Sequence, residues 1–143
     1  MFKKVLVPVD LQDTEFSVKT LKIAMKEVIE NGGQLHIITV LPGFINSYVS
    51  SYLGEQDHQD AVKNAAKDLK HFAVTNVDDT LEPVLKVFEG SASEEINRYV
   101  RKQGIELVVI RAHQRSKINE FLLGSVSARV VERAYCSVFV VKD

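Results

Sequence analysis

Val5-Leu6-Val7-Pro8-Val9, closed by Asp10, is a short apolar run with no polar residue in it. A strand with one face in water alternates apolar and polar residues. An unbroken aliphatic run reads instead as a strand buried on both faces, as in a parallel sheet between layers of helix. Pro8 has no N–H to give to a ladder, which places it near the end of the strand.

The same kind of run recurs downstream, each time after a helical pattern. Phe16, Val18, Leu21, Ala24, Met25, Val28 and Ile29 recur at three and four residues, with Lys19, Lys22, Lys26 and Glu27 on much of the remaining surface. Asp13 or Thr14 can cap this helix, and Gly32-Gly33 ends it. Leu35 to Leu41 is a second strand, stopped by Pro42-Gly43. A second helix is predicted from about Asp57 to Ala73, with Ala61, Ala65, Leu69 and Phe72 on one stripe. Val84 to Phe88 is a third strand, closed by Gly90. A third helix, capped by Ser91 or Ser93, has Glu94 and Glu95 in its first turn and Ala92, Ile96, Tyr99 and Val100 as its apolar stripe. Gly104 ends it, and Ile105 to Ile110 is a fourth strand. Gly124-Ser125 opens a fourth helix carrying Val126, Val130 and Val131, and Ser137 to Val141 is the last strand.

Strands alternating with helices imply parallel pairing through right-handed crossovers. The expected fold is α/β, an open five-stranded parallel sheet with helices on both faces, Rossmann-like or flavodoxin-like. No internal repeat, low-complexity tract or linker divides residues 1–143, so a single domain is expected, of a size that buries a real core.

Composition removes several function classes. Hydrophobic residues make up 45% and charged residues 26%, ordinary globular usage, and the net charge of −1 gives no field to draw the protein onto nucleic acid or an anionic membrane. Cys136 is the only cysteine, so neither an internal disulfide nor a zinc cage is available, and a reducing, cytoplasmic setting is the expectation. The N-terminus lacks a signal-peptide pattern, and no apolar run approaches the roughly 20 residues of a membrane helix.

In an open parallel sheet, ligands bind beyond the carboxyl ends of the strands, where strand order reverses. Those ends are Asp10, Val40 to Gly43, Phe88 to Ser91, and Arg111 to His113. The stretch from Val109 to Val131 is the most informative. Its run Leu122-Leu-Gly-Ser-Val-Ser-Ala-Arg-Val-Val131 looks like the second half of the glycine motif G-x-x-G-x9-G-[ST] of universal stress proteins. Lys4-Val-Leu-Val-Pro-Val-Asp10 is similar to that family's opening strand, Gly90-Ser-Ala-Ser-Glu-Glu-Ile96 to its third helix start, and Cys136-Ser-Val-Phe-Val-Val141 to its closing strand. The chain therefore resembles a small single-domain universal stress protein over its whole length, with only the loop after Leu41 idiosyncratic.

The resemblance implies the strand order 3-2-1-4-5 and a nucleotide pocket, of ATP or AMP, made by Pro8, Asp10, Val40, Arg111, Gly124, Ser125, Val126 and Ser127. No cofactor is firmly assigned. In nucleotide-binding members the three glycines of the motif would fall at 111, 114 and 124; here they are Arg111, Gln114 and Gly124. Glycine serves where backbone must approach phosphate closely. Arg111 brings a side chain to the floor of the pocket and Gln114 removes the second permissive position. The helix half survives, with Ser125 able to cap and the first-turn N–H groups free of an acidic side chain. The expectation is a stress-response regulatory protein with a degraded pocket, binding ATP weakly or not at all, with no catalytic residues and no metal site. One alternative is an ATP or AMP binder in which the Arg111 guanidinium replaces backbone amides as the phosphate ligand. Another is a small nucleotide-dependent enzyme.

Each feature also has a plainer reading. Gly124-Ser125 can be an ordinary cap, Asp10 a turn former bonding its own backbone, and Arg111, Arg115 and Lys117 a solvated basic loop. His113 has no second ligand at metal spacing. His36 reads as a hydrogen-bonded core histidine, His58 and His71 as surface residues of the second helix, and Cys136 as an inert packed thiol. The loop from Pro42 to Gln56, with Phe44, Tyr48, Tyr52 and Leu53, is either a lid or partner surface or a short helix packed on its own domain. The edge Ser137–Val141 is apolar and uncharged until Lys142, which predicts a homodimer paired antiparallel through it.

Overall fold

The computed structural model describes residues 1–43, 55–112 and 124–142. Along them run β1 (Lys4–Pro8), α1 (Thr14–Asn31), β2 (Gln34–Pro42), α2 (Glu55–Asn76), β3 (Val84–Gly90), α3 (Ala92–Gln103), β4 (Leu107–Arg111), α4 (Ser125–Arg133) and β5 (Ser137–Val141). The strands form one parallel sheet in the order β3-β2-β1-β4-β5. The Pro42–Gln56 loop's aromatic residues, and His113, Gln114, Arg115 and Lys117, lie outside the described residues.

Alternate strand residues divide between two cores. Val5, Val7, Leu35, Ile37, Leu107 and Val109 face α1 and α2, where Leu21, Ala24, Val28, Leu69 and Phe72 meet them. Leu6, Ile38, Val108 and Ile110 face α3 and α4, where they pack with Ile96, Tyr99, Val100 and Val130. The continuous apolar strands of the sequence are thus explained by burial on both sides.

Several expected core positions lie outside these cores. Ala61 is exposed because α2 starts to lie on the sheet only at Ala65. Ile29 on α1, and Val126 and Val131 on α4, are also exposed, and α4 commits only Ser127 and Val130 to the interior. Ile105 precedes β4 rather than opening it, because its N–H is bonded to Val100 O at the end of α3 (3.1 Å).

The turn from α1 into β2 uses two glycines for different reasons. Gly32 ends the helix in the left-handed conformation, φ 61°, with its N–H on Val28 O. At Gly33 the constraint is space: a Cβ there would stand 2.2 Å from Lys3 O, since Gln34 N–H bonds that same carbonyl at 2.6 Å to start the β1–β2 ladder.

Pro8 is the last residue of β1, and the sheet opens beside it. Val9 N–H bonds Ile38 O on β2 (2.8 Å), so the neighbouring residue's N–H would have to face β4. Proline has none. The β1–β4 ladder pairs Val5 with Leu107 and Leu6 with Val108 and goes no further, whereas β4 stays paired to β5 through Arg111 and Val141. Among the described residues, no helix is long and apolar enough to cross a membrane.

Candidate functional site

The strand order reverses between β1 and β4: the chain leaves β1 toward β2 on one side and returns through β4 on the other. The gap at their C-terminal ends is where an open α/β sheet takes a ligand. The fold brings Pro8, Asp10, Val40 and Arg111 to this end of the sheet, and α4 starts there after β4.

Arg111 closes β4, and its guanidinium does not stand free in the gap. It forms an ion pair with the Asp13 carboxylate, at the N-terminus of α1, and lies over the Phe16 ring with 4.1 Å to the centroid. The side chains are partly exposed, 24% for Arg111 and 41% for Asp13. Solvent therefore screens the pair, which contributes on the order of 1 kcal/mol, with a similar amount from the cation–π contact. The consequence for a ligand is larger than for stability. The guanidinium's nearest anion is already a protein carboxylate, and a phosphate entering here meets that carboxylate as a like charge.

The Asp13–Arg111 pairing spans 98 residues of sequence, and no spacing rule reveals it. Asp13 occupies the N-cap of α1 without a side-chain capping bond, its carboxylate being turned to Arg111 instead. Asp10 acts as a turn former: Gln12 N–H bonds its Oδ1 at 2.9 Å and Asp13 N–H its carbonyl at 3.0 Å. Thr39 Oγ1 donates to Val9 O at 2.8 Å, pinning the backbone just before that turn. Val40 is half-buried, paired in register with Phe88.

At α4 the N-cap is Gly124, and Ser125 is the first helical residue rather than the cap expected from its side chain. Gly124 has φ −62°, so no left-handed conformation explains a glycine there. The first intrahelical bond is Ala128 N–H to Gly124 O (2.9 Å), which leaves the amides of Ser125, Val126 and Ser127 without a partner inside the helix, and the first turn carries no acidic residue. The Ser127 hydroxyl is turned inward and donates to Gly124 O at 3.0 Å.

The remaining titratable candidates are structural. His36 is buried, with Nε2 at 2.9 Å from Gln34 Oε1 and Nδ1 at 2.6 Å from the Tyr99 hydroxyl. A carbonyl oxygen only accepts, so Nε2 carries the proton and the Tyr99 O–H donates to Nδ1. Burial, with Lys4 adding to it, lowers the His36 pKa below its ordinary 6.5, and burial raises that of Tyr99. Cys136 is half-buried, and burial pushes its thiol up against a smaller opposing hydrogen bond from the Val108 backbone, which makes it a poor thiolate. His71 is exposed, whereas His58 is half-buried and bonded to Glu89 at 2.9 Å. Among the described residues, no group of three or more His, Cys, Asp or Glu could hold a metal ion.

Comparison with known proteins agrees with this architecture. A curated relative, universal stress protein MJ0577 of Methanocaldococcus jannaschii, is 26% identical over 155 residues, covering 99% of this chain and 96% of the relative. The structure of universal stress protein UspA from Lactobacillus plantarum matches with a TM-score of 0.71 at 19% identity, covering 98% of this chain and 97% of that one. A universal stress protein from Archaeoglobus fulgidus, solved in complex with dAMP, matches with a TM-score of 0.67 at 16% identity, over 97% of each chain. A sequence model described as the universal stress protein family matches residues 1–142. With a parallel sheet in the order 3-2-1-4-5 and a family match running from the first residue to the last strand, this chain belongs to the universal stress protein family.

Proposed function

We propose that this protein is a regulatory, non-catalytic stress-response member of its family, a single cytoplasmic domain over residues 1–143 whose nucleotide pocket has lost its phosphate side. The observation that carries this reading is Arg111. It stands where nucleotide-binding relatives have the first motif glycine, and its guanidinium is held by Asp13 and Phe16 at the mouth of the β1–β4 gap. A nucleotide would have to displace that contact and bring its phosphates against Asp13. Calorimetry with ATP, ADP and AMP is the test. ATP affinity weaker than about 100 μM is expected, and a sub-micromolar constant overturns the reading.

The second reading, an ATP or AMP binder with Arg111 as phosphate ligand, is favoured by the first-turn amides of α4, which have no partner inside the helix, and by the dAMP complex of the Archaeoglobus relative. Arg111→Ala separates the two. It weakens binding if the guanidinium holds phosphate, and leaves it unchanged or improves it if the guanidinium blocks the gap. Absence of ATP turnover under the same conditions would set aside the enzyme reading.

The protein is further proposed to act as a homodimer through β5. This strand lies at the sheet edge, Phe139 is 48% exposed, and Val138 and Val140 are only half-buried. Antiparallel pairing with a second copy satisfies the outer N–H and C=O groups of both. Sedimentation of the wild type as a dimer at tens of micromolar, and of Phe139→Lys as a monomer, is expected, whereas a wild-type monomer at that concentration refutes the pairing.

A further inference from the structure

Away from the nucleotide end, a groove of about 650 Å³ runs between α3 and the end of α4. Asn97 lines it. This residue is 8% exposed, and among the described residues its Oδ1 has no hydrogen-bond partner. Nearly every buried polar atom in a folded protein has a partner, so an orphaned carboxamide beside an open groove asks what completes it. That oxygen is itself closed off from solvent, so an occupant meets it only once the carboxamide turns about χ2, a torsion that is broad for Asn.

The charges around Asn97 narrow the answer. Arg98, Arg101 and Arg133 line the groove, and so do Glu94 and Glu132. Arg101 lies over the exposed ring of Tyr135, 5.7 Å from its centroid, which holds the guanidinium in place while leaving its N–H fork open. Arg98 is tethered to Glu95. A carboxamide pairs in two places with a peptide unit, one N–H and one C=O, and a guanidinium fork matches a carboxylate. The two glutamates repel a run of acids but accept basic neighbours.

We propose that the α3–α4 groove binds an extended peptide segment of a partner protein carrying a single acidic residue flanked by basic ones. Asn97 takes a backbone peptide unit, Arg101 and Arg133 take the carboxylate, and Glu94 and Glu132 take the flanking cations. This proposal does not depend on whether the nucleotide end binds anything.

The test is a titration of ¹⁵N-labelled protein, followed by NMR, with the capped hexapeptide Ac-Ala-Lys-Asp-Gly-Lys-Ala-NH2. Saturable shifts of the Asn97 side-chain amide and the Arg101 Nε–H are expected, with a Kd on the order of 1 mM for so short a probe. The same peptide with Asn in place of Asp should bind about tenfold more weakly or worse, as should the parent peptide against Arg101→Gln. Asn97→Leu should abolish binding while the melting temperature holds or rises, a combination that a merely structural asparagine would not produce. If Asn97→Leu fails to fold, Arg101→Gln decides alone, since Arg101 is exposed. Three results overturn the proposal: no saturable shift, equal binding by the Asn peptide, or binding of N-acetylaspartate as tight as that of the hexapeptide, which would make this a small-carboxylate site.

Discussion

The two faces of the sheet are drawn from alternate residues of the same strands, yet they bury different things. On the α1–α2 face, Val5, Val7, Leu35, Ile37 and Val109 meet aliphatic and aromatic side chains. On the α3–α4 face, the neighbours of Leu6 and Ile38 include His36 and Tyr99, joined by a hydrogen bond, and on the same helix as Tyr99 the Asn97 Oδ1 has no partner among the described residues. The first face is held mainly by burial, which needs no specific partner but is sensitive to volume; the buried hydroxyls of Ser17 and Thr20 on α1 bond only backbone carbonyls of their own turn. The second adds polar groups whose contribution depends on every partner being present.

The largest effect should come from volume. Ile37 and Ile38 are adjacent, both fully buried, and point to opposite faces. Ile37→Ala and Ile38→Ala should each cost about 2–5 kcal/mol in urea denaturation, with Ile37→Ala the more costly. The reason is relaxation: α3 borders a groove and has room to shift, whereas Ile37 sits in the larger of the two buried clusters. Equal losses would mean that the faces are equally stiff.

Next comes the buried polar pair. Tyr99→Phe removes the donor to His36 Nδ1 and should cost about 1–3 kcal/mol, read from the shift of the denaturation midpoint. The same pair sets a pH dependence. Burial first, and Lys4 second, hold the folded-state pKa of His36 below 6.5, so the unfolded chain binds the proton more readily. Stability from this group is therefore complete above about pH 6.5 and falls as acid is added, levelling off once the pH is below the lowered folded value. His36→Leu should flatten that part of the profile; an unchanged slope would assign it to another group.

The smallest effect separates the two polar residues of α3. Asn97→Leu removes an orphaned acceptor rather than a partner, and should leave thermal stability unchanged or raise it by about 1 kcal/mol. A loss as large as that of Tyr99→Phe would show that Asn97 is structurally engaged.

The sequence is a good guide to these faces and a poor one to what crosses between elements. All five strands were legible because each is an aliphatic run with a stop, and β5 is read to its bounds at Ser137 and Val141. Helix stripes were legible where the helix lies flat on the sheet, as at Leu69 and Phe72, and misleading at Ala61, Val126 and Val131, where only tertiary placement decides which side of the helix is covered. At the site, the position of Arg111 at a strand end follows from the pattern. Its partners Asp13 and Phe16 do not, because they sit on α1 and meet β4 only through the sheet order. Asn97 looks like any polar residue among charged neighbours, and its burial comes from the packing of α3 against the sheet and α4.

The early end of the β1–β4 ladder has a consequence during synthesis. β1 is the middle strand, but it finds β2 almost at once and β4 only after roughly a hundred further residues have been made. Until then one side of the central strand has no partner, and its aliphatic residues are half covered. Before β4 is made, the outer edge of β3-β2-β1 is the future centre of the sheet. Pro8 lies on that edge with no N–H to offer, and Lys4 begins it with a charge. Pro8, which leaves the finished strands apart at the ligand end, and Lys4 at the opposite end of β1 also make the unfinished edge a poorer template for another nascent chain.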